Sequence, residues 1–374
     1  MSIRVCLNGN TIGYPEGGGH FWVYLNWALG FKQAGAEVIW MEPIHLRKSQ
    51  DDIDKQAAML RRRLAQFGLD QEPVLCRING SKEEPIEGHP SLSAAADADL
   101  LFNLEYGLNP VALKRFRRTA LLDIDPGMTQ TWISRGEVKV SPHDHYFTIG
   151  ETVGQPGSRI PDTGMNWRYT PPAIALAEWP VVQSEPDAPF TAISQWRAGE
   201  WMADEKGEWY QTDKRTAYEP YFDLPRLTRQ PIELAICIDD KEPDHPDLLR
   251  RGWRIRRSEE VSNSPEAYRQ YIQQSRGEFG CAKPAYVKLQ TAWISDRTLC
   301  YLASGKPAVV QNTGPSRFLP DREGILRFNN PTEAAACLNE AAANYDRHAQ
   351  AARAVAEELF DAAKVAKMVL ETCL

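Results

Sequence analysis

The stretch 291–313, TAWISDRTLCYLASGKPAVVQNT, reads in order as a loop, a helix and a buried strand. Ser295 is a good N-cap, because its hydroxyl can take a backbone N–H that the first helical turn leaves without a partner. Leu299, Leu302 and Ala303 recur at helical spacing and predict one apolar face. Gly305 stops the helix, Pro307 follows, and Ala308-Val309-Val310 is a short apolar run of the kind found in a sheet covered on both faces. A loop that runs into a helix N-terminus presents backbone N–H groups and the positive end of the helix dipole, which suits a phosphate. Ser295 and Thr298 add hydroxyls, Arg297 adds a planar cation, and Asp296 can accept from a sugar or ribose hydroxyl. Ser-Asp-Arg-Thr also begins many helices that bind nothing, so these residues alone leave both readings open.

Length and composition limit the alternatives. A chain of 374 residues predicts two domains of ordinary size. Hydrophobic residues at 43% and charged residues at 25% belong to a globular protein that fills sizeable cores. The net charge of −7 disfavours nonspecific attraction to anionic lipid or to the phosphate backbone of nucleic acid. Seven scattered cysteines without a CxxC pair argue for a reducing compartment rather than a disulfide or zinc framework. The N-terminus enters a strand-like run instead of a signal segment, and nowhere is there an apolar run of about 18 residues. The expectation is a cytoplasmic protein without a membrane span.

From its start the chain predicts a βαβ unit. Residues 3–7 form a strand, 8–20 a loop containing Gly13, Gly17, Gly18 and Gly19, and a helix follows on the apolar stripe Phe21, Tyr24, Leu25, Ala28, Leu29 and Phe31. Gly35 ends that helix before a second strand at 37–40. The order strand, Gly-rich loop, helix, strand implies a parallel sheet. GGGHFW is not a G-x-G-x-x-G fingerprint, but its glycines let a ligand approach the backbone closely. Residues 51–68 predict an amphipathic helix on Ile53, Ala57, Leu60 and Leu64. Residues 100–104 and 121–125 predict further strands. Asp125 then falls at a carboxyl strand end, where open α/β sheets bind ligands, with Asp123 on the same face. An imidazole, with a pKa of about 6.5, can take a proton from a hydroxyl when a carboxylate orients its other nitrogen, so His20 and Asp125 form a candidate catalytic pair. A helix-start histidine that bonds only its own loop, and a solvated acidic turn, account for the two residues equally well. His143 and His145 in SPHDHYFTIGE have no third metal ligand spaced to join them and read as a loop entering a strand. Lys114, Arg115, Arg117 and Arg118 read as a solvated helix face.

The string SDRTLCYLASGKPAVVQNTG at 295–314, with FLPDREGILRF at 318–328, resembles the nucleotide-binding half of glycosyltransferases of the B fold. In that family a short helix begins under the donor diphosphate and runs into a small-x-Gly-x-Pro-apolar-apolar strand, as Ala303 to Val310 does here. The likeness covers most of the last third of the chain. Many members carry an acid on the donor ribose five residues before that glycine; this chain has Cys300, which leaves ribose contact to Asp296 or Glu278. SRGEFG at 275–280 resembles the family's loop near the donor, implying Arg276 or Lys283 for phosphate and Glu278 for ribose or sugar hydroxyls, although an exposed polar turn accounts for it as well. The Gly-rich first loop resembles the family's first loop, where glycines, here Gly18 and Gly19, face the donor phosphates. In inverting members a following His is the general base, and His20 holds that position. The family neutralises the leaving diphosphate with a helix dipole and cationic side chains, so the resemblance implies no metal and no resident cofactor.

Prolines at 156, 161, 171, 172, 180, 186 and 189 break periodicity and mark a domain boundary. The expected fold is α/β, two Rossmann-like domains facing across a cleft: 1–170 on the acceptor side, a linker at 171–189, 190–345 binding the nucleotide sugar, and a helix at 346–374 crossing back to the first domain. The expected function is transfer of a sugar from a nucleotide-diphosphate sugar to an acceptor that the sequence does not identify, with inversion if His20 is the base. A nucleotide-sugar epimerase or phosphorylase on the same fold, or a non-catalytic nucleotide-sugar-binding subunit, would share these features.

Overall fold

The computed structural model describes residues 2–203, 206–239 and 241–374. The chain divides into two compact units: Met1–Gly154, Pro161–Ala175 and Asp361–Leu374 form one, and Gln155–Ile160 and Leu176–Phe360 form the other. No helix among the described residues is long and apolar enough to cross a membrane.

The first unit is built on seven parallel strands, β1 (Arg4–Asn8), β2 (Glu37–Pro43), β3 (Val74–Cys76), β4 (Leu100–Asn103), β5 (Thr119–Asp123), β6 (His145–Thr148) and β7 (Trp167–Tyr169). Their spatial order is β3-β2-β1-β4-β5-β6-β7. The chain therefore winds outward from β1, returns, and winds the other way from β4. The switch between β1 and β4 is where such sheets open a crevice at their carboxyl ends. Val5, Cys6, Leu7, Leu100, Leu101 and Phe102 are buried, as strands covered on both faces require. Helix α1 (Gly18–Gln33) is buried on more than its expected stripe, with Trp22 and Trp27 also inside. Helix α2 (Gln50–Gln66) buries Ile53, Ala57, Leu60 and Leu64 and is capped by Ser49.

The second unit repeats the winding with six parallel strands, β8 (Phe190–Gln195), β9 (Ile232–Cys237), β10 (Arg254–Arg257), β11 (Gly277–Gly280), β12 (Ala308–Gln311) and β13 (Ile325–Phe328). Their order is β10-β9-β8-β11-β12-β13. An aromatic core of Phe190, Trp196, Tyr218, Tyr221, Trp253, Phe279 and Phe328 fills one side of this sheet. Residues 275–280, expected as a loop, contain the central strand β11. Glycine hides it from a pattern reading: a Cβ on Gly277 would lie 2.5 Å from the Pro307 carbonyl oxygen and 2.6 Å from the Phe190 ring, so no apolar residue can occupy the position. Helix α3 (Asp296–Ala303) follows its Ser295 cap, whose Oγ accepts from Arg297 N at 3.2 Å. Helix α4 (Tyr345–Leu359) packs on α3, and its Arg353 donates to the carbonyls of Ala303 and Trp179 at 2.7 and 2.8 Å.

The chain changes unit at Ala175–Leu176 and again at Phe360–Asp361, not at the expected limits. The segment expected as a linker is tied to the second unit. Lys306, wholly buried, donates to Val182 O at 2.6 Å, and Arg269 donates to Glu178 O at 3.0 Å. The single helix expected over 346–374 is two, because Asp361 Oδ1 caps a new one by accepting from Ala363 N at 3.0 Å. Val355 stays with α4, whereas Ala362, Val365 and Val369 lie on α5 (Ala362–Cys373), which packs along α1 in the first unit. That packing depends on Gly30, where a Cβ would meet the Ala362 carbonyl oxygen at 2.6 Å. In an open helix Gly→Ala gains about 1 kcal/mol. Here overpacking costs about 1–3 kcal/mol, so Gly30→Ala is expected to lower the melting temperature, as read by thermal unfolding, and a rise would show that α5 does not press on α1.

Candidate functional site

In the second unit, β8 and β11 pair only at Phe190 with Gly277 and at Thr191 with Glu278. Beyond that register they part, at the point where the strand order reverses. Arg297, from the first turn of α3, enters the gap. Its Nε donates to Glu278 Oε1 at 2.8 Å and its Nη1 donates to Ile193 O at 2.9 Å. Glu278 is fully buried and the Arg297 side chain is 14% exposed. Burial alone would lower the Arg297 pKa, but the Glu278 carboxylate outweighs it and the guanidinium stays charged. At the end of β11, Gly280 keeps the space open: a Cβ there would stand 3.1 Å from Glu278 Oε1 and 3.4 Å from Arg297 Nη2. A cavity lies at this end of the sheet, lined by Gly280, Cys281, Trp293, Ser295, Arg297, Thr298, Gln311 and Thr313 among others.

Lys214 belongs to the same group and was not singled out from sequence. It lies on the short helix Lys214–Tyr218, capped by Asp213, and its ammonium donates to the carbonyl of Cys281, which lines the cavity. Burial, then the charge of Arg297 and more weakly that of Lys283, push its pKa down to about 7. The sequence held one signal. A cation in a first helical turn opposes the helix dipole and needs a reason.

The first unit carries its own cavity of about 260 Å³, at the carboxyl ends of β4 and β5, with Asn10, Tyr24, Glu105, Tyr106, Asp125 and Thr129 in its wall. The loop after β1 is pinned by Glu42, a fully buried carboxylate on β2. It accepts from Thr11 N at 2.8 Å, Thr11 Oγ1 at 2.5 Å, Ile12 N at 3.2 Å and Trp40 Nε1 at 2.8 Å. Burial pushes the Glu42 carboxyl up, against the pull of those hydrogen bonds. Gly9 lets the loop pass, since a Cβ on it would stand 2.6 Å from Glu42 Oε1. Across the switch, Asn8 Nδ2 donates to Asn103 Oδ1 at 2.8 Å, and Asn103 Nδ2 donates to the Glu105 carbonyl at 2.7 Å. The Glu105 carboxylate accepts from the Asn10 amide. Burial, then Glu42, raise its pKa to about 7. His143 closes this network: it donates from Nδ1 to Ser141 O at 2.7 Å and accepts at Nε2 from Asn103, and burial lowers its pKa so that it stays neutral.

The sequence-predicted residues fall into three groups. Ser295, Arg297 and Thr298 meet at the second unit's cavity, with Asp296 as the first residue of α3. Asp125 lines the first unit's cavity, and its backbone N–H donates to the buried Asp123 at 3.0 Å. Gly18 and Gly19 begin α1, Gly18 N donating to Glu16 O at 3.2 Å. The remainder need correction. His20 Nε2 donates to the Asn10 carbonyl at 2.7 Å, and its ring meets Tyr14 and Tyr24 edge-on, so a backbone oxygen rather than Asp125 orients the imidazole. In the neutral ring this leaves Nδ1 as the accepting nitrogen. Glu278 is the buried partner of Arg297 and does not present its carboxylate to a ribose. Arg276 precedes β11, with its guanidinium 3.2 Å above the Tyr345 ring, at the opposite end of the strand from the cavity.

By sequence the chain matches no protein-family model and no curated protein. By structure it matches an α-glucosyltransferase in complex with UDP, with a TM-score of 0.60 and 11% identity over 99% of both chains. HepE of Anabaena in complex with UDP and glucose matches with a TM-score of 0.58 and 12% identity, again over 99% of both chains. Sucrose-phosphate synthase of Thermosynechococcus elongatus matches at 0.55 and 12%, over 99% of this chain and 98% of that one. Along its length this chain therefore has the fold of these glycosyltransferases, as the sequence led us to expect.

Removing Arg297 leaves a carboxylate buried without its counter-charge. Arg297→Ala is expected to cost about 3–5 kcal/mol, measured by urea unfolding, while Arg297→Leu combined with Glu278→Leu loses far less. Equal losses in the single and double variants would show that the charge pair is not what closes the gap between β8 and β11.

Proposed function

We propose that the protein is a glycosyltransferase: its second unit holds a nucleotide-diphosphate sugar and its first unit binds the acceptor. The observation that carries this reading is the charged, capped start of α3 at the strand-order switch, where Arg297 lines the cavity and Lys214 stands behind its wall, donating to the carbonyl of Cys281. A departing diphosphate develops negative charge that fixed donors stabilise best in a partly dry site. The α3 dipole, the hydroxyls of Ser295 and Thr298 and the Lys214 ammonium supply those donors, and Asp296 is the acceptor for a ribose hydroxyl. Gly18 and Gly19, at the start of α1, are the corresponding anion-attracting amides of the first unit. UDP in the α-glucosyltransferase and HepE structures supports a nucleotide donor.

Transfer, epimerisation and silent binding separate in one assay with a panel of nucleotide sugars. Free nucleoside diphosphate marks transfer, altered sugar on an intact diphosphate marks epimerisation, and binding without turnover marks a non-catalytic subunit. We expect diphosphate release. With cationic side chains and a helix dipole to meet the leaving charge, EDTA is expected to leave turnover unchanged; loss restored by magnesium or manganese would overturn this part of the proposal.

The lowered Lys214 pKa sets the pH dependence of donor binding. In the empty site the amine is half neutral near pH 7, and a bound diphosphate favours its charged form. Binding therefore takes up a proton above pH 7, and affinity falls as pH rises from 7 toward 9. Lys214→Met should weaken nucleoside diphosphate binding by about 1.5–3 kcal/mol at pH 6.5 and flatten that dependence. Calorimetric titration across pH 6 to 9 checks both, and an unchanged profile in the variant would remove Lys214 from the site.

A further inference from the structure

We infer that the first unit's cavity takes an uncharged or amine-bearing polyhydroxy acceptor and that Glu105, rather than His20, removes the proton from its attacking hydroxyl. This rests on the glycosyltransferase reading and adds to it the acceptor class and the acceptor-side base.

The cavity wall combines hydrogen-bonding side chains, Asn10, Tyr24 and Thr129, with two carboxyl groups, Glu105 and Asp125, and no lysine or arginine lines it among the described residues. An anionic acceptor, a sugar phosphate or a uronic acid, would meet like charge with nothing to offset it. A hydroxyl or an ammonium group would find acceptors. Glu105 is placed by three hydrogen bonds. Its backbone N–H donates to Asn103 Oδ1 at 2.9 Å, its carbonyl accepts from Asn103, and one carboxylate oxygen accepts from the Asn10 amide. The titratable groups around it come from each element packed there: Glu42 from β2, His20 and Tyr24 from α1, Asp125 after β5 and the neutral His143 beyond Asn103. Glu42, Glu105 and Asp125 all raise the Tyr24 pKa, which places the carboxyl groups about one phenol. His20, by contrast, has Nε2 engaged by the Asn10 carbonyl and is not in the cavity wall.

In the step itself, the acceptor O–H proton passes to the Glu105 carboxylate and the oxygen pair forms a bond to the anomeric carbon. The bond from that carbon to the diphosphate oxygen breaks, its electron pair leaving with the diphosphate. A base titrating near the working pH is effective because it is both ionised and basic enough. The raised Glu105 pKa fits that requirement.

The test uses the full chain and a panel of neutral, amino and phosphorylated mono- and disaccharides, read first by calorimetric binding without donor and then by transfer. Neutral or amino sugars are expected to bind and phosphorylated ones not. Glu105→Gln, which keeps an acceptor for the Asn10 amide, is expected to lower transfer by about 10²–10⁴-fold and to abolish the rising limb of the rate profile near pH 7. Glu105→Asp keeps a limb and part of the rate. Preferential binding of phosphorylated sugars, parent-like transfer by Glu105→Gln, or loss of the limb in His20→Ala instead would overturn the inference. Nucleoside diphosphate binding, measured alongside, reports on the underlying reading: it stays at the parent level in Glu105→Gln. Its absence in the parent would sink the donor assignment without touching the acceptor-binding result.

Discussion

The second unit turns on one buried ion pair. At its switch point the strand order reverses and a crevice opens at the carboxyl ends of the strands. β8 and β11 separate after Thr191 and Glu278, and the Glu278 carboxylate and the Ile193 carbonyl face the gap. Arg297 meets one oxygen of the carboxylate and the carbonyl with two donors of one rigid fork. Because Arg297 is also in the first turn of α3, the same contact fixes where that helix begins relative to the sheet. The amides and hydroxyls at its start are positioned by a group that is itself mostly hidden from solvent.

In the first unit β1 and β4 stay paired to Asn8 and Asn103, and neutral groups and a different carboxylate hold the loop beyond them. Asn8 and Asn103 bridge β1 and β4 directly, and Glu42 collects four donors from the following loop and from Trp40. Burying an ionised group is tolerated only when its lone pairs are met, and here the loop meets them. The loop that leads from β1 into α1 is thereby held by a residue far from it in sequence. This is why its glycines matter for passage past Glu42 as much as for any ligand.

What the sequence reveals follows from which constraints are local. The βαβ opening, Ser295 as a cap and the apolar runs at Leu100 and Ala308 act over a few residues, and the structure agrees with them. β11 was illegible because its glycine is demanded by the Pro307 carbonyl and the Phe190 ring, both distant in the chain. Glu278 looked like a loop acid for the same reason. The pairing of His20 with Asp125 failed on a backbone carbonyl, a partner that no side-chain pattern announces. Asp361, an Asp ahead of two alanines, was a readable N-cap, and it marks the point where the C-terminal segment leaves one unit for the other.

A net charge of −7 conceals opposite local fields. In the second unit Lys214 and Arg297 share one region, where the charge of Arg297 pushes the Lys214 pKa down and Glu278 holds Arg297 charged. In the first unit Glu42, Glu105 and Asp125 crowd Tyr24. In each cluster burial first, and then a neighbouring like charge, moves the pKa of one member, Lys214 or Glu105, to about 7. Such a group is the one whose charge a ligand can change at small cost, because half the population already holds the other protonation state. In the proposed function an anion would restore the lysine's proton, and an acceptor hydroxyl would hand a proton to the carboxylate. Overall acidity and local function are therefore set at different scales. The first is a sum over the whole chain, while the second depends on a few charges that the fold holds together.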